Sequence, residues 1–156
     1  MVLSEAAIGL DASYPAQPPQ VASIRRAVSG IARRGGADIA TLIRLELAIS
    51  EAATNVVLHA YRAPGAGGRI HITACIDLGV LDVCVRDHGC GMAPRPDSPG
   101  MGLGLSLMAS ESDHFEVRKA DGGGTEVLLR FLLTARDAPP RERIARRTAS
   151  GAPATA

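Results

Sequence analysis

Glu51 and Asn55 lie four residues apart in LELAISEAATNVVLHAY, residues 45–61, and a helix there would stack them on one face. A carboxamide oxygen is a neutral, hard ligand for Mg²⁺, and a carboxylate one turn earlier can orient a hydroxyl nucleophile or take its proton. A solvated polar face carries such pairs too. A second group, Asp87-His88-Gly89-Cys90-Gly91, follows the apolar alternation of Val83 and Val85. A carboxylate held at a strand end accepts from an exocyclic amine such as that of adenine, and glycines let backbone approach a flat ring. An ordinary Asp-Gly turn after a strand has the same spelling. In the third group, Gly100-Met101-Gly102-Leu103-Gly104-Leu105, glycines run straight into an apolar helix. Free backbone N–H groups at a helix N-terminus suit phosphate oxygens, although a flexible loop before a tightly packed helix would read alike. This run lacks the Lys-Ser or Lys-Thr of a Walker loop, and a proline-containing loop precedes it where a dinucleotide fingerprint has a strand. Each group is weak alone. In this order, together, they are a strong signal.

The elements that must position these groups can be read from periodicity. Leu42, Leu45, Ile49, Ala52, Ala53, Val56 and Ala60 recur as a buried helical stripe, so residues 45–61 are expected to form one amphipathic helix. At about 100° per residue, Glu51 and Asn55 fall opposite that stripe, and His59 continues their row. Leu47, Ala48 and Leu58 share the row's side, which predicts a covered face. Asp38 is the expected N-cap of this helix. Upstream, residues 7–14 read as a strand ending in the Pro15, Pro18, Pro19 break. Val21, Ile24, Val28 and Ile31 then mark a helix stopped by Gly35-Gly36. Downstream of a turn-rich RAPGAGG loop, Ile70 to Ile76 and Leu81 to Val85 alternate around a turn at Leu78-Gly79, predicting an antiparallel hairpin. A loop over 87–100 leads to a helix over 103–110. Phe115 and Val117 mark a strand, Asp121 to Gly124 a hairpin turn, and Val127, Leu129, Phe131 and Leu133 a final strand.

A length of 156 residues fits one domain, and aromatics at 3% against 46% hydrophobic residues predict a core of Ala, Val, Ile and Leu. The formal net charge of +1 provides no electrostatic case for a nucleic-acid or membrane partner. No signal peptide or membrane-length apolar run is evident, so a cytoplasmic protein is expected. Cys75, Cys84 and Cys90 are odd in number and lack CxxC spacing, which points away from a disulfide framework or a zinc site; Cys75 and Cys84 read as strand residues. Residues 1–133 form the expected domain, and 134–156, rich in Pro, Ala and Arg, an expected disordered basic tail.

The segments SEAATNVVLHAY, DHGCGM, GMGLGL and GGGTEV resemble the ATP-binding domain shared by gyrase, the heat-shock chaperone ATPase, sensor histidine kinases and MutL, the Bergerat fold. Within that superfamily the chain most resembles the anti-sigma factor serine/threonine kinases, over about residues 5–133. The resemblance implies an α+β fold: a two-layer sandwich whose mixed, mainly antiparallel sheet is covered on one face by helices. It implies ATP and Mg²⁺ as cofactors, Asn55 as the Mg²⁺ ligand and Glu51 as general base. Asp87 would bind the adenine amino group, with Gly89, Gly91 and Met92 around the adenine and Thr125 near it. Gly100, Met101, Gly102, Leu103, Gly104 and Leu105 would lie at the phosphates. The implied partners are an anti-sigma factor antagonist, phosphorylated on serine or threonine, and a sequestered sigma factor, with a homodimer as the implied assembly. His59 is read as a hydrogen-bonded structural histidine. The chain departs from some relatives in one respect: where they carry Arg before the glycine run, it has Asp97 and Ser98, with Arg95 the nearest cation, and Pro94, Pro96 and Pro99 stiffen the segment. A rival reading from a different class is a nucleotide-gated binding module of the same fold that phosphorylates nothing.

Overall fold

Alternation of apolar residues in five segments requires a sheet with one buried face, and the computed structural model has one. It describes residues 9–61, 67–91 and 101–133. In chain order the elements are β1 (Gly9–Pro15), α1 (Pro18–Arg34), α2 (Ile39–Asn55), a π-helical turn (Val56–Ala60), β2 (Arg69–Asp77), β3 (Val80–Asp87), α3 (Met101–Glu111), β4 (His114–Lys119) and β5 (Thr125–Leu132). The strands form one sheet in the order β1-β2-β3-β5-β4, and all four pairings are antiparallel. The three helices cover one face, giving the expected two-layer α+β architecture.

Proline at the start of α1 suits a first turn whose N–H groups need no helical partner, and Arg33 and Arg34 sit where the helix dipole favours cations. Gly36, at φ +83°, turns the chain toward α2. There the Asp38 carboxylate accepts from the Thr41 N–H at 2.7 Å, as an N-cap should. That hydrogen bond holds the Asp38 carboxyl below its ordinary pKa. Leu78 and Gly79, both at positive φ, make the β2–β3 turn, and Gly122, Gly123 and Gly124, all at positive φ, make the β4–β5 turn.

The core lies between helices and sheet. Ile24, Leu45, Ile49, Ile70, Ile72, Leu81, Leu129 and Leu133 are fully buried, as the aliphatic composition predicts, with Phe131 the largest side chain among them. The α2 stripe is buried as expected, except that Leu42 is only partly so. Leu47 and Leu58 are a correction: they are 45% and 64% exposed, whereas Ala48 is buried. Cover over the polar row of α2 is local to where α3 packs and does not extend along the whole face. Cys75 and Cys84 are strand residues and free thiols.

The opposite face of the sheet carries cross-strand ion pairs, such as Arg130 to Asp82 at 2.6 and 2.9 Å and Arg118 to Glu126 at 2.7 Å. A shallow cavity of about 760 Å³ on that face is lined by residues including Asp11, Cys75, Cys84 and His114, none of them from the three motif groups. No helix among the described residues is long and apolar enough to cross a membrane. The expected tail 134–156 and the segment 92–100, with Met92, Arg95, Asp97, Ser98 and Gly100, lie outside the described residues.

Candidate functional site

The row on α2 meets the third motif at a helix–helix seam. Glu51 and Asn55 are half-buried, and buried Gly104 of α3 faces them. A Cβ on Gly104 would stand 3.0 Å from Glu51 Oε2 and 3.5 and 3.7 Å from Asn55 Nδ2 and Oδ1. A glycine is therefore what lets α3 come this close to the carboxylate and carboxamide. Met101 and Gly102 are in the first turn of α3, Leu103 is 79% exposed, and Leu105 packs against the core.

Beyond Asn55 the helix widens into the π turn, and its last carbonyls hold the second motif. The Ala60 carbonyl accepts from the Cys90 N–H at 2.9 Å, and the His59 carbonyl accepts from Cys90 Sγ at 3.5 Å. Gly89 packs so closely that a Cβ would overlap the Ala60 carbonyl. Asp87, at the end of β3, is only 4% exposed. Its Oδ1 accepts from the Gly89 N–H at 2.8 Å, and its carboxylate also accepts from the backbone of Thr125. Burial pushes the Asp87 carboxyl above its ordinary pKa, and these two N–H donors partly offset the shift. Gly124, at φ +91°, leaves no room for a Cβ against the Asp87 carbonyl, and Gly91 also has a positive φ.

The fold thus gathers Glu51, Asn55 and Gly104 at one position and Asp87, Gly89, Gly124 and Thr125 at another. The π turn joins the two. Sequence reasoning passed over Tyr61 and Gly68, which buttress the Asp87 loop. No periodicity marks them, because their contact depends on where the helix and β2 meet in space.

A family model for the histidine kinase-like ATPase domain matches residues 14–131. The chain belongs to that family. Its relatives include proteins named as serine-protein kinases and as anti-sigma factors. It is 32% identical over 145 residues to the serine-protein kinase RsbW of Bacillus licheniformis, covering 83% of this chain and 89% of that protein. It is 33% identical over 97 residues to the anti-sigma F factor of Clostridium acetobutylicum, covering 55% of this chain and 66% of that one. The fold is shared with a crystal structure of the RsbU and RsbW domains of a Mycobacterium tuberculosis protein, at a TM-score of 0.64 and 22% identity, over 80% of this chain and 32% of that one. It is also shared with the histidine kinase domain of a blue-light activated kinase from Erythrobacter litoralis, at a TM-score of 0.53 and 27% identity, over 76% and 61% of the two chains.

For a histidine kinase-like ATPase, a hard-oxygen row beside a glycine-opened helix start fits a magnesium nucleotide. Among the described residues no group of three or more His, Cys, Asp or Glu could hold a metal by itself. Asn55 offers a neutral oxygen donor, which suits Mg²⁺, an ion that commonly takes one or two protein ligands and completes its shell with phosphates and water.

Proposed function

We propose that this histidine kinase-like ATPase is a serine/threonine protein kinase that uses Mg-ATP to phosphorylate an anti-sigma factor antagonist and that also sequesters a sigma factor. The observation that supports it best is the close approach of Gly104 to Glu51 and Asn55, with Asp87 buried beyond the π turn. The serine-protein kinase and anti-sigma factor names of its relatives support the same reading. On this reading Asp87 accepts from the adenine amine, with Gly89, Gly91, Met92 and Thr125 around the ring. Residues 100–105 border the phosphates, and Asn55 ligates Mg²⁺. The metal neutralises charge on the phosphates when bound. Glu51, one turn from Asn55, accepts the proton of the acceptor hydroxyl, so the residues of the chain chiefly position and orient the reactants. Arg95 or a group from the acceptor protein supplies positive charge where Asp97 and Ser98 do not. The protein works in the cytoplasm as a homodimer, with residues 134–156 a tail outside the folded domain.

The test is transfer of radiolabelled γ-phosphate to a candidate antagonist by wild type, Glu51→Ala and Asn55→Ala. Label on serine or threonine with wild type and in neither variant is the expected outcome. ATP binding without transfer by wild type would favour the rival reading, a nucleotide-gated binding module.

A further inference from the structure

Tyr61 makes an unusual link at the end of the β2–β3 ladder. Ile70 and Asp87 are the last residues paired there, so the next step would set Arg69 opposite His88. The Tyr61 hydroxyl stands at that step. It donates to the Arg69 carbonyl at 2.7 Å and accepts from the His88 N–H at 3.1 Å. Its ring lies over Gly68, where a Cβ would overlap ring carbons, so glycine is required for the ring to reach this place. The Tyr61 hydroxyl therefore ends the ladder with a side-chain bridge, and the chain turns at His88 toward the Gly89 N–H that binds Asp87 Oδ1. His59, Ala60 and Tyr61 together hold three points of the loop: Cys90 Sγ, Cys90 N–H and His88 N–H.

We infer that Tyr61 is a positioning residue that sets the Asp87 carboxylate for recognition of the 6-amino group of adenine. The inference rests on the proposed role of Asp87. The Asp87 carboxylate already accepts from the Gly89 N–H and from the Thr125 backbone, and the acceptor capacity left for an amine is aimed by the backbone around His88 on one side and by β5 on the other. Hydrogen bonds weaken steeply with misalignment, so a small movement of this loop affects the amine contact before it affects the phosphate end. Without the hydroxyl, the Arg69 carbonyl and His88 N–H are free to approach each other, extend the ladder by a step and draw His88 toward β2.

The experiment compares equilibrium binding of ATP and of purine riboside 5′-triphosphate, which lacks the 6-amino group, by wild type, Tyr61→Phe and Gly68→Ala. Tyr61→Phe keeps the ring and deletes the bridge; Gly68→Ala keeps the hydroxyl and displaces the ring. Wild type should prefer ATP, and both variants should lose about fivefold of that preference, the worth of roughly one hydrogen bond. Their affinity for the purine analogue should be retained. A purely structural role would weaken both nucleotides alike, or lower the melting temperature with the preference intact, and either result overturns the inference. Wild type binding both nucleotides equally overturns the Asp87 reading and this inference with it. Wild-type preference retained in full by Tyr61→Phe overturns the role of Tyr61 alone.

Discussion

Gly104→Ala separates the close approach of α3 from the stability of the fold. The added methyl would sit 3.0 Å from Glu51 Oε2, while its distances to Asn55, 3.5 and 3.7 Å, are ordinary contacts. The Glu51 contact is about 0.4 Å too short for carbon and oxygen, so the carboxylate must swing aside by a few tenths of an ångström. A misplacement of about 1 Å costs on the order of 100-fold in rate, so about 0.4 Å corresponds to roughly a sixfold loss of phosphoryl transfer. Stability should move the other way, because alanine within a helix is favoured over glycine by about 0.5–1 kcal/mol. Thermal melting and γ-phosphate transfer, measured on the same preparation, check both signs. Slower transfer with a melting temperature equal to or above wild type is expected. Transfer at the wild-type rate, or a loss that follows a fall in melting temperature, would refute the idea that Gly104 acts by leaving Glu51 in place.

Asp87 makes the protein's stability depend on pH. Its carboxyl is raised above the ordinary aspartate value by burial, so the folded state holds its proton more tightly than the unfolded chain does. The group therefore favours folding below the ordinary aspartate pKa, and that contribution is lost as pH rises through the raised value. The melting temperature of wild type minus that of Asp87→Asn should fall with rising pH across this window; a difference that grows with pH would contradict the burial. Gly124→Ala combines a backbone at φ +91° with overlap on the Asp87 carbonyl. Strain alone should destabilise it by about 1–3 kcal/mol, read by denaturant unfolding, with ATP affinity reduced in the protein that remains folded.

Much of the architecture was legible because it rests on local rules. The α2 stripe, the Asp38 cap, the hairpin turn at Leu78-Gly79 and the triple-glycine turn before β5 each carry their signal in a few neighbouring residues. The π turn was not legible, since Val56 and Ala60 continue the helical spacing and nothing in VVLHA announces the wider turn. Tyr61 was given no role because its partners, Arg69 at the start of β2 and His88 just past the end of β3, meet its hydroxyl only once the hairpin is folded against the end of the π turn. Leu47 and Leu58 misled because apolarity on a helix face reports a preference for cover, and only packing decides whether cover arrives. Gly104 was read as a phosphate-binding residue; that it also opens space for Glu51 required the α2–α3 seam.

The central claim is that the Glu51–Asn55 row and the buried Asp87 end are two parts of a single nucleotide site. Titration of ATP, with and without Mg²⁺, into wild type, Asn55→Ala and Asp87→Asn tests it most directly. Wild type should bind Mg-ATP, Asn55→Ala should lose the Mg²⁺ dependence of that affinity, and Asp87→Asn should weaken binding whether or not Mg²⁺ is present. Wild-type affinity in either variant, in a protein that melts as wild type does, would contradict the assignment.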